Sequence, residues 1–236
     1  SNDSKQFKIN SMQIQCVVFD MAGTTVNEDN IVYKTLQAAL NHFNVPVDLN
    51  HVLLYGAGKE KFQAIKDIIS NSPYTLDETV QLEAFNYFLA QLDIAYLNFD
   101  VTPMPGAEHV FAALKQAGIK VVLNTGYNRA TAENLLGKLG WAEGQQIDLL
   151  VTASDVLHNR PMPDMIFYAK DKLHLADTNH MVKIGDSCID IEEGKNAGCL
   201  LNIGITTGAQ TEIQLMEAKP DYIVHSLTEM LEILEK

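Results

Sequence analysis

The chain is 236 residues long, 47% apolar and 20% charged, which suits a water-soluble globular protein with room for one large domain or a domain carrying an insert. Its net charge of −13 argues against nucleic acid as the main partner, because a phosphate backbone requires a cationic surface, but it leaves room for a small phosphorylated ligand in a local pocket. Three cysteines without metal or disulfide spacing, no apolar run near the ~18 residues of a membrane span, and no signal-peptide centre in SNDSKQFKINSM point to a reducing cytoplasm.

Residues 1–13, which lack an initiator Met, read as a tail with a processed or cleaved start. IQCVVF (14–19), rich in β-branched residues and ending at Asp20, predicts a buried strand. GTT follows with turn chemistry, and IVYKTLQAALNHF spaces Val32, Leu36, Ala39, Leu40 and Phe43 along one helix face. From about residue 47 to 100 no strand signal occurs. KEKFQAIKDII predicts a helix with Phe62, Ile65, Ile68 and Ile69 on one side, SPY breaks the chain, and LDETVQLEAFNYFLAQLDIAYL predicts a long helix. After TPMPG, helix and strand alternate: AEHVFAALKQAG, IKVVLN, RATAENLLGKLG, IDLLVT, PDMIFYAKDKL, HMVKIG, DIEEGKNAG, CLLNIGI, then a short strand and a helix in DYIVHSLTEMLEIL.

This alternation implies an α/β fold, a doubly wound parallel sheet of Rossmann-like type. Residues 14–30 and 103–236 would form the core, and residues 31–102 an inserted helical domain. Ligands of such sheets bind beyond the carboxyl ends of the strands, so Asp20, Asn124 and Thr125, Thr152 to Asp155, and Gly185 with Asp186 carry the interest. Two aspartates in one crevice call for a cation.

Four stretches at these strand ends, VVFDMAGTTV, VVLNTGYNR, NRPMPDMIF and KIGDSCIDIEEGKNAG, together resemble the haloacid dehalogenase superfamily of hydrolases, with the helical insert where that family carries its cap. The resemblance implies that Asp20 attacks phosphorus and forms an aspartyl-phosphate. It also implies Mg²⁺ held by Asp20, the Ala22 carbonyl, Asp186 and Asp190. Thr125 would bond a phosphoryl oxygen, with Asn124, Gly126 and Tyr127 beside it and Gly23 and Thr24 across the crevice as further substrate contacts. Arg160 would orient Asp20 and offset transferring charge. The plainer readings are helix caps for Thr24, Thr125 and Asp190, and a solvated loop charge for Arg160.

Most phosphatases of that superfamily carry a second Asp two residues after the nucleophile, where this chain has Ala22. DMAGTTV instead resembles the phosphonatase branch, which hydrolyses phosphonoacetaldehyde through a Schiff base on a cap lysine. Lys59 in LYGAGKEKF matches that lysine and is expected at the start of a cap helix, swinging over the core site. As a nucleophile it would need a lowered pKa. The branch's Met-Gly before the lysine and His three residues after it are Tyr55-Gly56 and Phe62 here. Lys59 as a mere substrate anchor, or as a solvated lysine among Lys61 and Lys66, are the alternatives. GAGKEK is neither a P-loop nor a dinucleotide fingerprint, since Leu53, Glu60 and Lys61 occupy required positions.

The resulting expectation is a Mg²⁺-dependent hydrolase of a small phosphonate or phosphate, either a monomer or a homodimer paired through its caps. One rival is a phosphate monoesterase that borrows an acid, with Glu28 and Asp29 nearest in sequence. The other is a non-catalytic phosphate sensor, against which the set of Asp20, Thr125, Arg160 and Asp186 argues.

Overall fold

The computed structural model describes residues 8, 9 and 12 to 236. Within the segment read as a tail, β1 (Lys8–Ile9) pairs antiparallel with β2 (Met12–Gln13), and the rest of that tail lies outside the described residues. The predicted first strand is β3 (Cys16–Asp20), buried throughout. β4 (Val26–Asn27) leads into four helices, α1 (Ile31–His42), α2 (Leu49–Gly56), α3 (Lys61–Ser70) and α4 (Glu78–Leu97). β5 (Thr102–Pro103) then returns beside β4 as an antiparallel pair, so the helical segment leaves and re-enters at one point.

Strand and helix alternate from there: α5 (Ala107–Gln116), β6 (Lys120–Thr125), α6 (Arg129–Leu139), β7 (Leu149–Thr152), α7 (Asp164–Lys172), β8 (Met181–Gly185), α8 (Cys188–Ala197), β9 (Leu201–Ile205), α9 (Glu212–Met216), β10 (Tyr222–Val224) and α10 (Leu227–Leu234). The parallel sheet runs β10-β9-β8-β3-β6-β7. Strand order reverses at β3, between β8 and β6, which is where a doubly wound sheet opens its crevice.

Side chains of β3 alternate between two apolar clusters: Val17 and Phe19 enter one, Cys16 and Val18 the other. That alternation covers both faces of the sheet, each fully buried Val or Phe contributing about 1.5–3 kcal/mol. The first cluster continues into the four helices through Leu36, Ile65, Phe88 and Leu92. In α4 a four-residue spacing of Ala84, Phe88, Leu92 and Tyr96 makes the buried stripe. Two α-helices fall where the sequence predicts none. Helix α2 is started by Asp48, whose side chain accepts from the His51 N–H at 2.8 Å, and the short α9 is started by a Thr211–Gln214 capping box. Among the described residues no helix is long and apolar enough to cross a membrane.

Candidate active site

The buried run of β3 delivers Asp20 to the sheet's carboxyl edge, opposite Asn124 of β6. The chain then turns tightly, with the N–H groups of Thr24, Thr25 and Val26 all donating to the Met21 carbonyl at 2.9–3.0 Å. Gly23 takes φ +83°, and a Cβ there would lie 2.3 Å from Asp186 Oδ2, so only glycine fits. Thr24 begins no helix; its hydroxyl donates to Asp186 Oδ1 at 3.3 Å. Ala22 is 9% exposed and supplies no side-chain oxygen.

Arg160 is the hub of the site, and its side chain is fully buried. Its Nη1 donates to Asp20 Oδ1 at 3.1 Å and to the Gly58 carbonyl at 2.9 Å. Nη2 donates to the Asn124 carbonyl at 3.0 Å and to Asn124 Oδ1 at 2.7 Å, while Nε donates to Glu193 Oε1 at 3.1 Å. The solvated-loop reading of Arg160 therefore fails. A second buried cation, Lys183, donates to Asn124 Oδ1 at 2.6 Å and lies 3.2 Å from both Asp190 and Glu193. The Asn124 amide also donates to both Glu193 oxygens. Asn124, expected as a substrate contact, is thus fully engaged in fixing the two cations.

Oxygens of Asp20, Asp186 and Asp190 lie within 4.8 Å of one another, all buried. Burial works against ionisation of Asp20, but Arg160, a hydrogen bond with Asp186, and Lys183 outweigh it and hold its carboxyl below the usual range. Burial, then the charge of Asp20, pushes the Asp186 carboxyl well above its usual range. Asp190 serves two ends. Its Oδ2 accepts from the Ser187 N–H and hydroxyl at 3.2 and 2.7 Å as the cap of α8, while Oδ1 lies 3.2 Å from Arg160 and Lys183 without a well-aligned hydrogen bond. Four carboxylates, Asp20, Asp186, Asp190 and Glu193, face only Arg160 and Lys183 among these ion pairs. An all-oxygen donor set with two negative charges in excess fits a hard divalent cation such as Mg²⁺.

Thr125 closes β6, 3% exposed. The N-cap of α6 is Asn128, whose side chain accepts from the Thr131 N–H at 2.9 Å, so the cap reading of Thr125 does not hold. Its hydroxyl accepts from the Tyr127 N–H at 3.1 Å and keeps its own proton for a ligand oxygen. A Cβ on Gly126 would lie 2.3 Å from the Lys59 carbonyl, so the helical segment rests directly on this turn. Gly58 anchors the same contact from the other side: its N–H donates to the Tyr33 hydroxyl oxygen at 2.9 Å and its carbonyl accepts from Arg160.

The two lysines here differ from expectation. Lys59 precedes α3 rather than starting it. Its Nζ is held 2.6 Å from Asp67 Oδ2 and faces a cavity of ≈ 650 Å³ that Arg160 lines from the other side. Lys61 is the lysine turned inward, 6% exposed, with Nζ donating to the Lys59 carbonyl at 2.6 Å and lying 5.1 and 5.5 Å from the ring centres of Tyr127 and Tyr33. Burial, against the charge of Asp20, brings its amine down to about 8. The sequence carried a signal for this: Lys61 shares the stripe of Ala64, Ile65 and Ile68, where a lysine has no reason to sit unless its amine is used or paired. Glu28, Tyr33, Tyr96, Lys183 and Glu193 also join the site without having been singled out for a role in it, except that Glu28 was named as a possible acid.

The family model of haloacid dehalogenase-like hydrolases matches residues 14–198. The phosphonoacetaldehyde hydrolase of Latilactobacillus sakei subsp. sakei (strain 23K) is 28% identical over 257 residues, spanning 94% of this chain and 96% of that protein. A phosphonoacetaldehyde hydrolase-like protein from Oleispira antarctica superposes with a TM-score of 0.81 at 21% identity, over 94% of this chain and 91% of that one. A predicted phosphoglycolate phosphatase from Haemophilus somnus 129PT superposes with a TM-score of 0.75 at 22% identity, over 94% and 98%. At such identities the two superpositions speak for the fold alone.

Proposed function

Because the chain belongs to the haloacid dehalogenase-like hydrolases, we propose that it cleaves phosphorus from a small organic phosphonate, with phosphonoacetaldehyde the best-supported substrate, through an aspartyl-phosphate on Asp20. The observation that carries the reading is the pairing of an ionised, Arg160-oriented Asp20 with Ala22 in place of an acid and an inward amine at Lys61. A carbon leaving group is released by an electron sink, which an iminium supplies and a carboxylic acid does not.

Asp20, Asp186, Asp190 and the Ala22 carbonyl would hold Mg²⁺, which when bound offsets the repulsion between the carboxylates and an anionic substrate. Helices α1 to α4 act as the cap, closing through Gly58 on Arg160 and through Lys59 on Gly126 and so excluding water. The neutral Lys61 amine condenses with the substrate aldehyde, with loss of water. Arg160 holds the Asp20 carboxylate in line with phosphorus, and the Thr125 hydroxyl donates to a phosphoryl oxygen. Asp20 takes the phosphoryl group as the carbon–phosphorus electrons pass into the iminium. Water then attacks the aspartyl-phosphate to release phosphate, and a second water, once the leaving carbon is protonated, hydrolyses the Schiff base to free acetaldehyde and restore the Lys61 amine.

A phosphate monoesterase is the second reading, favoured by one observation: Glu28, buried beside the site, is an acid in waiting. Product assays with Mg²⁺ separate the two. The phosphonate reading expects phosphate and acetaldehyde in equal amounts from phosphonoacetaldehyde, abolished in Asp20→Asn. Phosphate from small esters alone would replace it with the esterase reading.

A further inference from the structure

Lys61 closes over a group of titratable side chains that phosphorus transfer, as set out above, leaves unused. Glu28 lies just past β4, at the junction of core and insert, 2% exposed. Its Oε2 accepts from the Tyr96 hydroxyl at 2.8 Å and from the Val32 N–H at 3.0 Å. The Tyr96 hydroxyl lies 3.0 Å from that of Tyr127, whose ring centre is 5.1 Å from Lys61 Nζ. A carboxyl and two hydroxyls thus make a hydrogen-bonded path from the junction to Tyr127, whose ring the inward amine overlies. They come from three separate parts of the chain.

A helix cap alone does not account for Glu28. It does cap α1 through Val32, but capping carboxylates ordinarily sit ionised at the surface, whereas this one is enclosed and no cation among the described residues is bonded to it. Burial raises its carboxyl to about 7, so near neutral pH it holds a proton it can give up. The tyrosines can each accept a hydrogen bond from one neighbour and donate to the next, and the pattern runs equally well in either direction. Its inner end, Tyr127, lines a cavity of ≈ 190 Å³ together with Lys61 and Gly126. Position 22, beside the nucleophile, offers no acid.

We propose that Glu28 is the proton store of this site, serving the leaving fragment through the hydroxyls of Tyr96 and Tyr127. The inference rests on the displacement at Asp20 proposed above. As the Asp20 oxygen bonds to phosphorus and the carbon–phosphorus bond breaks, the electron pair becomes the enamine on Lys61. The enamine carbon takes a proton from Tyr127, Tyr127 recovers one from Tyr96, and Tyr96 one from Glu28, which is left as a carboxylate. Water attacking the aspartyl-phosphate releases one proton, and the same path run backwards returns it to Glu28. On a phosphate ester the departing alkoxide oxygen takes that proton instead.

The test compares a leaving group that needs a proton with one that does not. Rates on phosphonoacetaldehyde are divided by rates on p-nitrophenyl phosphate, for wild type, Glu28→Gln and Tyr96→Phe. In both variants the ratio is expected to fall by about 10²-fold, the usual worth of a positioned acid. Both substrates slowing together would mark Glu28 as structural and overturn the proposal, as would an unchanged ratio or an effect confined to Glu28→Gln. If wild type cleaves only esters, the ratio is taken with ethyl phosphate: the carbon–phosphorus reading then fails while Glu28 is still judged. A wild type that cleaves neither class overturns both.

Discussion

Replacing Glu28 by Gln keeps the side chain's length and its acceptor for Tyr96 and Val32 but removes its titration. Glu28 faces Asp29 on its own segment, Tyr33 from α1, Lys61 from α3, Tyr96 from α4 and Tyr127 after β6. Burial is the largest influence on it and lifts its carboxyl from 4.5 to about 7, against the hydrogen bonds from Tyr96 and Val32 and the charge of Lys61. Between those two values the unfolded chain has lost a proton that the folded chain keeps. The folded state therefore binds more protons, and stability falls as pH rises through the window. At 1.36 kcal/mol per pH unit, the loss from this group amounts to about 3 kcal/mol by the top of the window. Lys61, brought down to about 8 and held up in part by the charge of Glu28, titrates above that window. Urea unfolding of wild type and variant between about pH 5 and pH 7 measures the effect, and the difference between the two proteins cancels the groups that Glu28 does not touch. Glu28→Gln is expected to gain on wild type steadily across this range and to be the more stable by about 2–3 kcal/mol at its upper end. A difference that does not vary with pH would refute the reasoning, because it would mean Glu28 titrates as it does in water.

Further outcomes follow from the same contacts. Arg160→Met leaves Asp20, Asp190 and Glu193 without their shared cation and is expected to cost about 3–5 kcal/mol in urea unfolding. Gly126→Ala drives a methyl group into the Lys59 carbonyl, so the helices cannot close on the turn; KM should rise and kcat fall with little change in Tm. Mg²⁺ at 100 times its Kd should stabilise the wild type by about 2.7 kcal/mol in thermal unfolding, and Asp186→Asn should abolish most of that gain. Asp20→Asn removes the proposed nucleophile and should end phosphate release from every substrate while the protein remains folded.

The sheet was legible because β-branched runs ending in polar residues, with glycine-stopped helices between them, leave one reading. The placement of Asp20, Thr125 and Asp186 in one crevice was legible for the same reason, since a strand end fixes where a side chain points, whereas Arg160 lies in the loop between β7 and α7 and was reached through the resemblance alone. Residues acting across the fold were not. Asn124 reads as a strand-end ligand but spends its amide on Arg160, Lys183 and Glu193, partners 36 to 69 positions away. Lys59 and Lys61 sit two residues apart at the entry to α3, and there a small change in where the helix begins exchanges which amine faces inward. Helix α2 was missed because it is only eight residues long and only Val52 and Gly56 of it are buried, so its apolar rhythm is short.

In the proposed reaction an inward lysine, in place of an acid at position 22, releases the leaving fragment. Borohydride reduction in the presence of phosphonoacetaldehyde and Mg²⁺, read by peptide mass spectrometry, tests it most directly. A reduced adduct on Lys61, absent in Lys61→Ala, is the expected result. An adduct on Lys59, or phosphate released with no adduct on either lysine, would contradict it.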